Sequence, residues 1–313
     1  MKFIHTSDWH FGQELRGYSR LDEHRYFIGQ LCRIVRDEQP DALLVSGDVY
    51  DTKIPTAAAQ RELIDALIKL HHSCPSMAII VTAGNHDSGA RLDAQSPLWQ
   101  AIGVRMIGSC RRSVADRFDP SELVIEVHGK GIVIAAPYFH QRNYPVAGDN
   151  LVPEQRQRAF FTALGDAAES VNAGRGLPVA MMAHLTVDGC DFACHRQSTI
   201  GGIKAEKAEE MGAGFDYLAL GHIHKPQTLR EGPGAIRYSG SPFAMSFSEN
   251  FPHTVSVVEI AARHDAPLVR EVEIEPLRRV VTIEPEDGDF GTALEMARRL
   301  GRDDESYVRF VVK

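Results

Sequence analysis

At 313 residues the chain can bury a large core, either as one sizeable domain or as one domain with a small companion. Hydrophobic residues at 43% and charged residues at 24% are ordinary for a soluble globular protein, and no apolar stretch approaches the ~20 residues that span a bilayer. A formal net charge of −8 excludes a chain that coats nucleic acid through bulk charge, but leaves room for a nucleic-acid enzyme with bound cations and local basic loops.

Met1-Lys2 run straight into a strand, so no cleaved signal peptide is expected. Residues 2–5 are that strand, and Thr6-Ser7-Asp8-Trp9-His10 follow at once. Gln13, Arg16, Tyr18, Arg20 and Arg25 come next, read either as a loop that grips a nucleic-acid strand or as a solvated helix face. A helix over 23–38 stacks Phe27, Leu31, Ile34 and Val35 on one stripe until Pro40 stops it. A buried strand at 42–46 leads to Gly47-Asp48, and a helix over 56–71 carries Leu63, Ile64, Leu67 and Leu70. The strand at 78–83 leads to Gly84-Asn85-His86-Asp87.

Between 104 and 138 the texture changes, and residues 124–127 and 132–135 read as an antiparallel hairpin. A helix at 153–172 precedes a strand at 178–183 that ends on His184. Cys190, Cys194 and the adjacent His195 are half of a zinc pattern without a second pair; with Cys32, Cys74 and Cys110 they read instead as reduced thiols of a cytoplasmic protein. A short helix at 205–211 precedes the strand at 217–220, which runs into Gly221-His222-Ile223-His224. Strand-like segments at 236–238, 254–260 and 268–274 call for a second sheet packed on the first. The expected fold is therefore α/β, a two-sheet sandwich flanked by helices over residues 1–276. Residues 280–283, 291–300 and 307–312 form a β-α-β fragment, so 277–313 is expected to open a second domain that is incomplete here.

Five apolar strands thus end in metal-ligand chemistry, at the strand ends where open α/β sheets bind their ligands. Five of the 14 histidines fall in these short windows, where about one is expected by chance, which sets aside scattered core histidines. Asp8, His10, Asp48, Asn85, His184, His222 and His224 are seven side chains; with Asp48 bridging, they supply four bonds to each of two divalent ions. Asp8/His10 and His222/His224 are two apart, so on extended backbone each pair faces one way. Oxygen and imidazole donors without thiolate suit Mn²⁺, Fe²⁺ or Zn²⁺. Two such ions sharing a water generate hydroxide at neutral pH and polarise a phosphoryl oxygen for in-line attack. His86 is left over and suits proton donation to the leaving group. A carboxylate should hold its ring, Asp51 first and Asp87 second, unless these only cap loops.

This set of motifs resembles the calcineurin-type metallophosphoesterase superfamily. Within it, His5–His10, Gly47-Asp48-Val49-Tyr50-Asp51, Gly84–Ser88, Tyr217–His224, Tyr238-Ser239-Gly240-Ser241-Pro242 and Ser246-Phe247-Ser248-Glu249 resemble the SbcD-type nuclease subunits of bacterial SbcC–SbcD complexes, in order from residue 1 to about 276. The resemblance implies Asp8, His10, Asp48 and His224 on one Mn²⁺, and Asp48, Asn85, His184 and His222 on the other, with His86 as the catalytic histidine. It further implies single-strand endonuclease and double-strand 3′→5′ exonuclease activity on DNA, a homodimer formed through helices, an SbcC-type ATPase partner, and a capping domain beginning near residue 277. Two other readings compete. One is a phosphoprotein phosphatase or small-molecule phosphodiesterase on the same site, though protein phosphatases of the superfamily carry Arg where Thr52 stands. A non-catalytic, retromer-like scaffold typically loses several ligands, and here all seven and His86 are present.

Overall fold

Burial with a period of two on both faces shapes the first strand. Phe3 and His5 point one way and Ile4 the other, and all three are fully buried. The same rule places Leu43 and Val45 opposite Ala42 and Leu44 in the next long strand. A sheet buried on both sides needs a cover on each, and the architecture follows from that demand.

The computed structural model describes residues 1–110, 118–140, 143–146, 151–191, 207–301 and 304–313. In chain order the first half comprises β1 (Lys2–Thr6), the short ribbon β2 (Glu14–Leu15) and β3 (Tyr18–Ser19), α1 (Leu21–Glu38), β4 (Ala42–Ser46), α2 (Ala57–Ser73), β5 (Ala78–Thr82), α3 (Gly89–Gln100) and β6 (Val104–Ile107). There follow β7 (Val124–Val127), β8 (Gly131–Ala135), α4 (Pro153–Asn172), β9 (Val179–His184), β10 (Tyr217–Gly221), β11 (Gln227–Arg230), β12 (Ala235–Tyr238), β13 (Thr254–Glu259) and β14 (Leu268–Glu273). The chain closes with β15 (Val280–Ile283), α5 (Phe290–Arg298) and β16 (Tyr307–Phe310).

One six-stranded sheet runs β14-β13-β1-β4-β5-β6, and the other β11-β12-β10-β9-β8-β7. In the first, β1, β4, β5 and β6 are parallel, with α1, α2 and α3 as crossovers on one face. Phe27, Leu31 and Val35 of α1, and Leu63, Leu67 and Leu70 of α2, meet Ile4, Leu43, Val45 and Ile79 there. The opposite face, with Phe3, Leu44 and Ile80, packs on the second sheet through Val133, Met182 and Tyr217, and Phe160, Leu164 and Ala168 of α4 belong to the same core. The result is a layered sandwich of two sheets flanked by helices, as the patterning requires.

Three expectations change. The strands at 254–259 and 268–273 do not build the second sheet: β13 pairs antiparallel with β1 (Lys2↔Glu259) and extends the first. The second sheet takes the expected strand at 236–238 as β12, beside β11, and is otherwise built from the 124–135 hairpin and the strands that end on His184 and Gly221. A buried apolar run fits either sheet, so its composition does not choose between them. The helix at 205–211 is a 3₁₀ turn at Ala208–Met211, with residues 205 and 206 outside the described set. Finally, α3 has no counterpart in the sequence pattern, because Pro97 lies inside it and only Leu92, Ser96 and Trp99 are buried, too sparse a stripe for a periodic signal.

Residues 280–310 form a parallel two-stranded sheet, β15 with β16, joined by α5. It meets the sandwich at the start of α1: Tyr307 lies against the guanidinium of Arg20, and Arg278 pairs with Glu23. Among the described residues no helix is long and apolar enough to cross a membrane.

Candidate metal centre

Because β1, β4, β5, β9 and β10 are parallel neighbours within their sheets, each set of carboxyl ends opens on one rim. The loop after β1 is laced to the loop after β4: Asp8 N–H donates to the Gly47 carbonyl, and His10 N–H to the Asp48 carbonyl, each at 3.0 Å. Across the gap between sheets, the His222 N–H donates to Asp8 Oδ1 at 3.0 Å. Asp8, His10, Asp48 and His222 all take positive φ, at 55, 49, 49 and 96°. Such backbone costs of order 1–3 kcal/mol per residue and survives only where the surroundings impose it. Here it sits on the side chains that converge.

Three groups of donor atoms gather within 4.8 Å: Asp8 with His10 and His224, Asp48 with His184 and His222, and His10 with Asp51 and His86. Asn85 joins the second group, its Oδ1 3.1 Å from His184 Nε2 and 2.9 Å from His222 Nδ1. The structure thus brings all seven expected ligands and His86 to one place. His184 Nδ1 donates to the Ser46 carbonyl at 2.9 Å, which turns Nε2 inward to 3.2 Å from Asp48 Oδ2. His24 bridges the carbonyls of Trp9 and Arg20, at 2.7 and 2.8 Å, and so ties the Asp8–His10 segment to α1.

Two features fit this ring of donors to divalent ions. Both nitrogens of His10 are buried without a well-formed hydrogen bond, an arrangement that costs free energy unless something binds them. The glycines leave no spare room: a Cβ on Gly47 would land on the His184 imidazole, and one on Gly84 on the Asp48 carboxylate. Oxygen and imidazole donors with no thiolate complete a set suited to first-row divalent metals.

The field is strongly structured. Burial would raise the Asp48 carboxyl, but the imidazoles of His184, His10 and His86 outweigh it and hold it well below the usual carboxylate range. Burial would likewise lower His184, yet the charge and hydrogen bond of Asp48 push it up to about 9. His224, also buried, is pushed up to about 9 by Glu249. These rings sit where positive charge is favoured, as a cation site requires.

The expected holder of His86 needs correcting. The His86 Nδ1 lies 2.8 Å from the backbone carbonyl of Asp51, not from its carboxylate, which lies 3.3 Å from His10 Nδ1 instead. Asp87 does not touch the ring either: it caps the loops, accepting the N–H groups of Gly84, Val49 and Tyr50 at 2.8–3.0 Å. The basic loop changes too: Arg20 is buried, Arg25 is exposed but pairs with Glu62, and Arg16 is exposed. Cys194 and His195 lie outside the described residues. Sequence reasoning missed a role for Glu249, whose Oε1 is 3.1 Å from His224 Nδ1; 25 residues separate the pair, and no spacing signals it.

The model of the calcineurin-like phosphoesterase family matches residues 1–226. The chain is 36% identical over 289 residues to the SbcD subunit of the SbcCD nuclease of Rhodobacter capsulatus, covering 87% of this chain and 70% of that one. It is 32% identical over 272 residues to the same subunit of Bacillus subtilis, covering 85% and 68%. Among solved structures, a dimetal phosphatase from Danio rerio overlays with a TM-score of 0.51 at 12% identity, covering 88% of this chain and 99% of that one, a likeness of fold. By its sequence and its layered fold, the chain belongs to the calcineurin-like phosphoesterases and, within them, to the SbcD subunits of SbcCD nucleases.

Proposed function

We propose that this chain is a DNA nuclease of the SbcD type that hydrolyses phosphodiesters with two divalent ions, most fittingly Mn²⁺. Asp8, His10, Asp48 and His224 would hold one ion, and Asp48, Asn85, His184 and His222 the other. The observation that carries the reading is the convergence of these ligand groups beside His86 in a chain 36% identical to a nuclease subunit. Bound ions supply Lewis acidity toward the phosphoryl oxygens and an activated water. The chain's own contribution is positioning: the Asp51 carbonyl accepts a hydrogen bond from Nδ1–H of His86 and leaves Nε2 to pass a proton to the departing oxygen. The His86 N–H also donates to Asp48 Oδ1 at 2.8 Å, coupling the acid's backbone to the shared ligand.

The reading extends to single-strand endonuclease and double-strand 3′→5′ exonuclease activity, an SbcC-type ATPase partner, a homodimer, and a cap of which residues 277–313 form the beginning. The alternative is the same centre acting on a small phosphodiester or a phosphoprotein. Digestion of single-stranded circular DNA with Mn²⁺, beside a small bis-phosphodiester and a phosphopeptide, separates them. Nicked DNA supports the nuclease, and turnover of only the small ester overturns it.

A further inference from the structure

The loop from Ser241 to Glu249 ends on a carboxylate with every lone pair engaged. Glu249 is buried; Oε2 accepts the Met245 N–H at 3.0 Å and the Ser241 hydroxyl at 3.4 Å, and Oε1 accepts the Ser246 hydroxyl at 3.3 Å and faces His224 Nδ1 at 3.1 Å. The Ser241 N–H in turn donates to the His224 carbonyl at 3.0 Å, so the loop grips that histidine at backbone and ring together.

The loop itself is clamped from outside. The Arg20 Nη1 donates to the Ala244 carbonyl at 2.9 Å, and the Gln13 amide to the Met245 carbonyl at 3.0 Å. Arg20 lies 5.0 Å from the Phe243 ring, and Arg309 of β16 5.3 Å from the Phe247 ring. A carboxylate held this firmly, on the far nitrogen of a ring that faces Asp8 and His10, is built to orient rather than to react.

We infer that Glu249 is a positioning residue for His224: by accepting a hydrogen bond from Nδ1–H it fixes the tautomer and turns Nε2 toward the divalent ion shared with Asp8 and His10. The inference rests on the two-ion reading above and adds to it a residue outside the ligand set. It predicts unequal damage to the two ions, because Glu249 touches a ligand of one cluster and none of the other.

The 313-residue chain, freed of metal, would be titrated with Mn²⁺ by calorimetry and by electron paramagnetic resonance, beside Glu249→Ala and Glu249→Gln. The wild type should bind two ions that give a spin-coupled signal. Glu249→Ala should weaken one of the two roughly 10–100-fold and show isolated Mn²⁺ at concentrations where the wild type is coupled. Glu249→Gln, which keeps size and one acceptor, should lose less. If the alanine variant fails to fold, the glutamine variant decides. Wild-type affinity and coupling in every variant that folds would overturn the inference, as would an equal loss of both ions. A wild type that binds no pair of ions would overturn the two-ion reading itself, a result no variant could mimic.

Discussion

His5 of β1 and Tyr217 of β10 join the two sheets by a hydrogen bond, 3.0 Å from Nδ1 to the phenolic oxygen, inside the apolar layer between them. The ring's other nitrogen lies 3.2 Å from the Leu220 carbonyl, so Nε2 carries the proton and Nδ1 accepts the tyrosine hydroxyl. The imidazole is neutral and fully buried. Burial and the nearby Arg237 charge hold it down at about 3, against an ordinary 6.5, despite the pull of the carbonyl.

Between those two values the unfolded chain binds a proton that the folded chain refuses. Stability therefore rises with pH across the window, and it is lost as pH falls from about 6.5 toward about 3. For His5 alone the full loss is on the order of 5 kcal/mol. Urea unfolding of metal-free protein at pH 7 and pH 4.5 should show the wild type losing about 2–3 kcal/mol more on acidification than His5→Gln. Equal losses would acquit His5.

Gly47 takes φ of +83° directly against His184, where a methyl group has no space. Gly47→Ala should keep the fold but push His184 away from Asp48. Mn²⁺ affinity and phosphodiesterase rate should each drop by roughly tenfold or more, the scale of disturbing a ligand's support. Unchanged metal titration would contradict the tight cradle.

Asp48 is expected to serve both ions, and its Oδ1 also accepts the His86 N–H. Asp48→Asn keeps an acceptor for that N–H while removing the charge. Its loss of activity should exceed the roughly 10–100-fold expected for an outer partner, and His224→Ala should be similarly severe. Wild-type turnover by either variant would refute the ligand assignment.

His86 is expected to donate a proton rather than hold metal. His86→Ala should lower the single-turnover rate on DNA by about 10²–10⁴-fold with Mn²⁺ binding intact. An aryl phosphodiester, whose leaving group needs no proton, should suffer far less. Equal losses on both substrates would point away from acid catalysis.

Arg20 is buried beside Glu23 at 3.3 Å, and Arg278 reaches the same carboxylate at 3.3 Å. Glu23→Gln leaves that guanidinium without its counter-charge and should cost roughly 3 kcal/mol. Thermal melts would register the loss, and a melting point within a degree of wild type would show that the Ala244 carbonyl and the aromatic rings suffice for Arg20.

The expected ligands are legible in the sequence because each stands at or just beyond the end of a buried strand, where local pattern and chemistry coincide. Asp48 and His184 can be named in this way; the residues that support them only in part. Asp51 illustrates the limit. Its spacing from Asp48 marks it as important, but whether its carboxylate or its carbonyl meets His86 depends on a loop geometry fixed by contacts from other strands. Glu249 is visible only as part of a motif, since its meeting with His224 is made by the return of a loop in three dimensions. The strand at 254–259 is plain in the sequence and its sheet is not, because pairing Lys2 with Glu259 is a long-range choice that a buried run leaves open.

By itself, the sequence determined the fold class, the strand ends that carry the candidate ligands, and a donor set of oxygen and imidazole without thiolate; these depend on periodicity and residue chemistry, which are local. Tertiary structure alone decided which sheet each strand joined, which atom holds each imidazole, and how Glu249 reaches His224. Those outcomes belong to groups far apart in the chain, whose positions are fixed only when the two sheets pack and their buried polar atoms must all find partners.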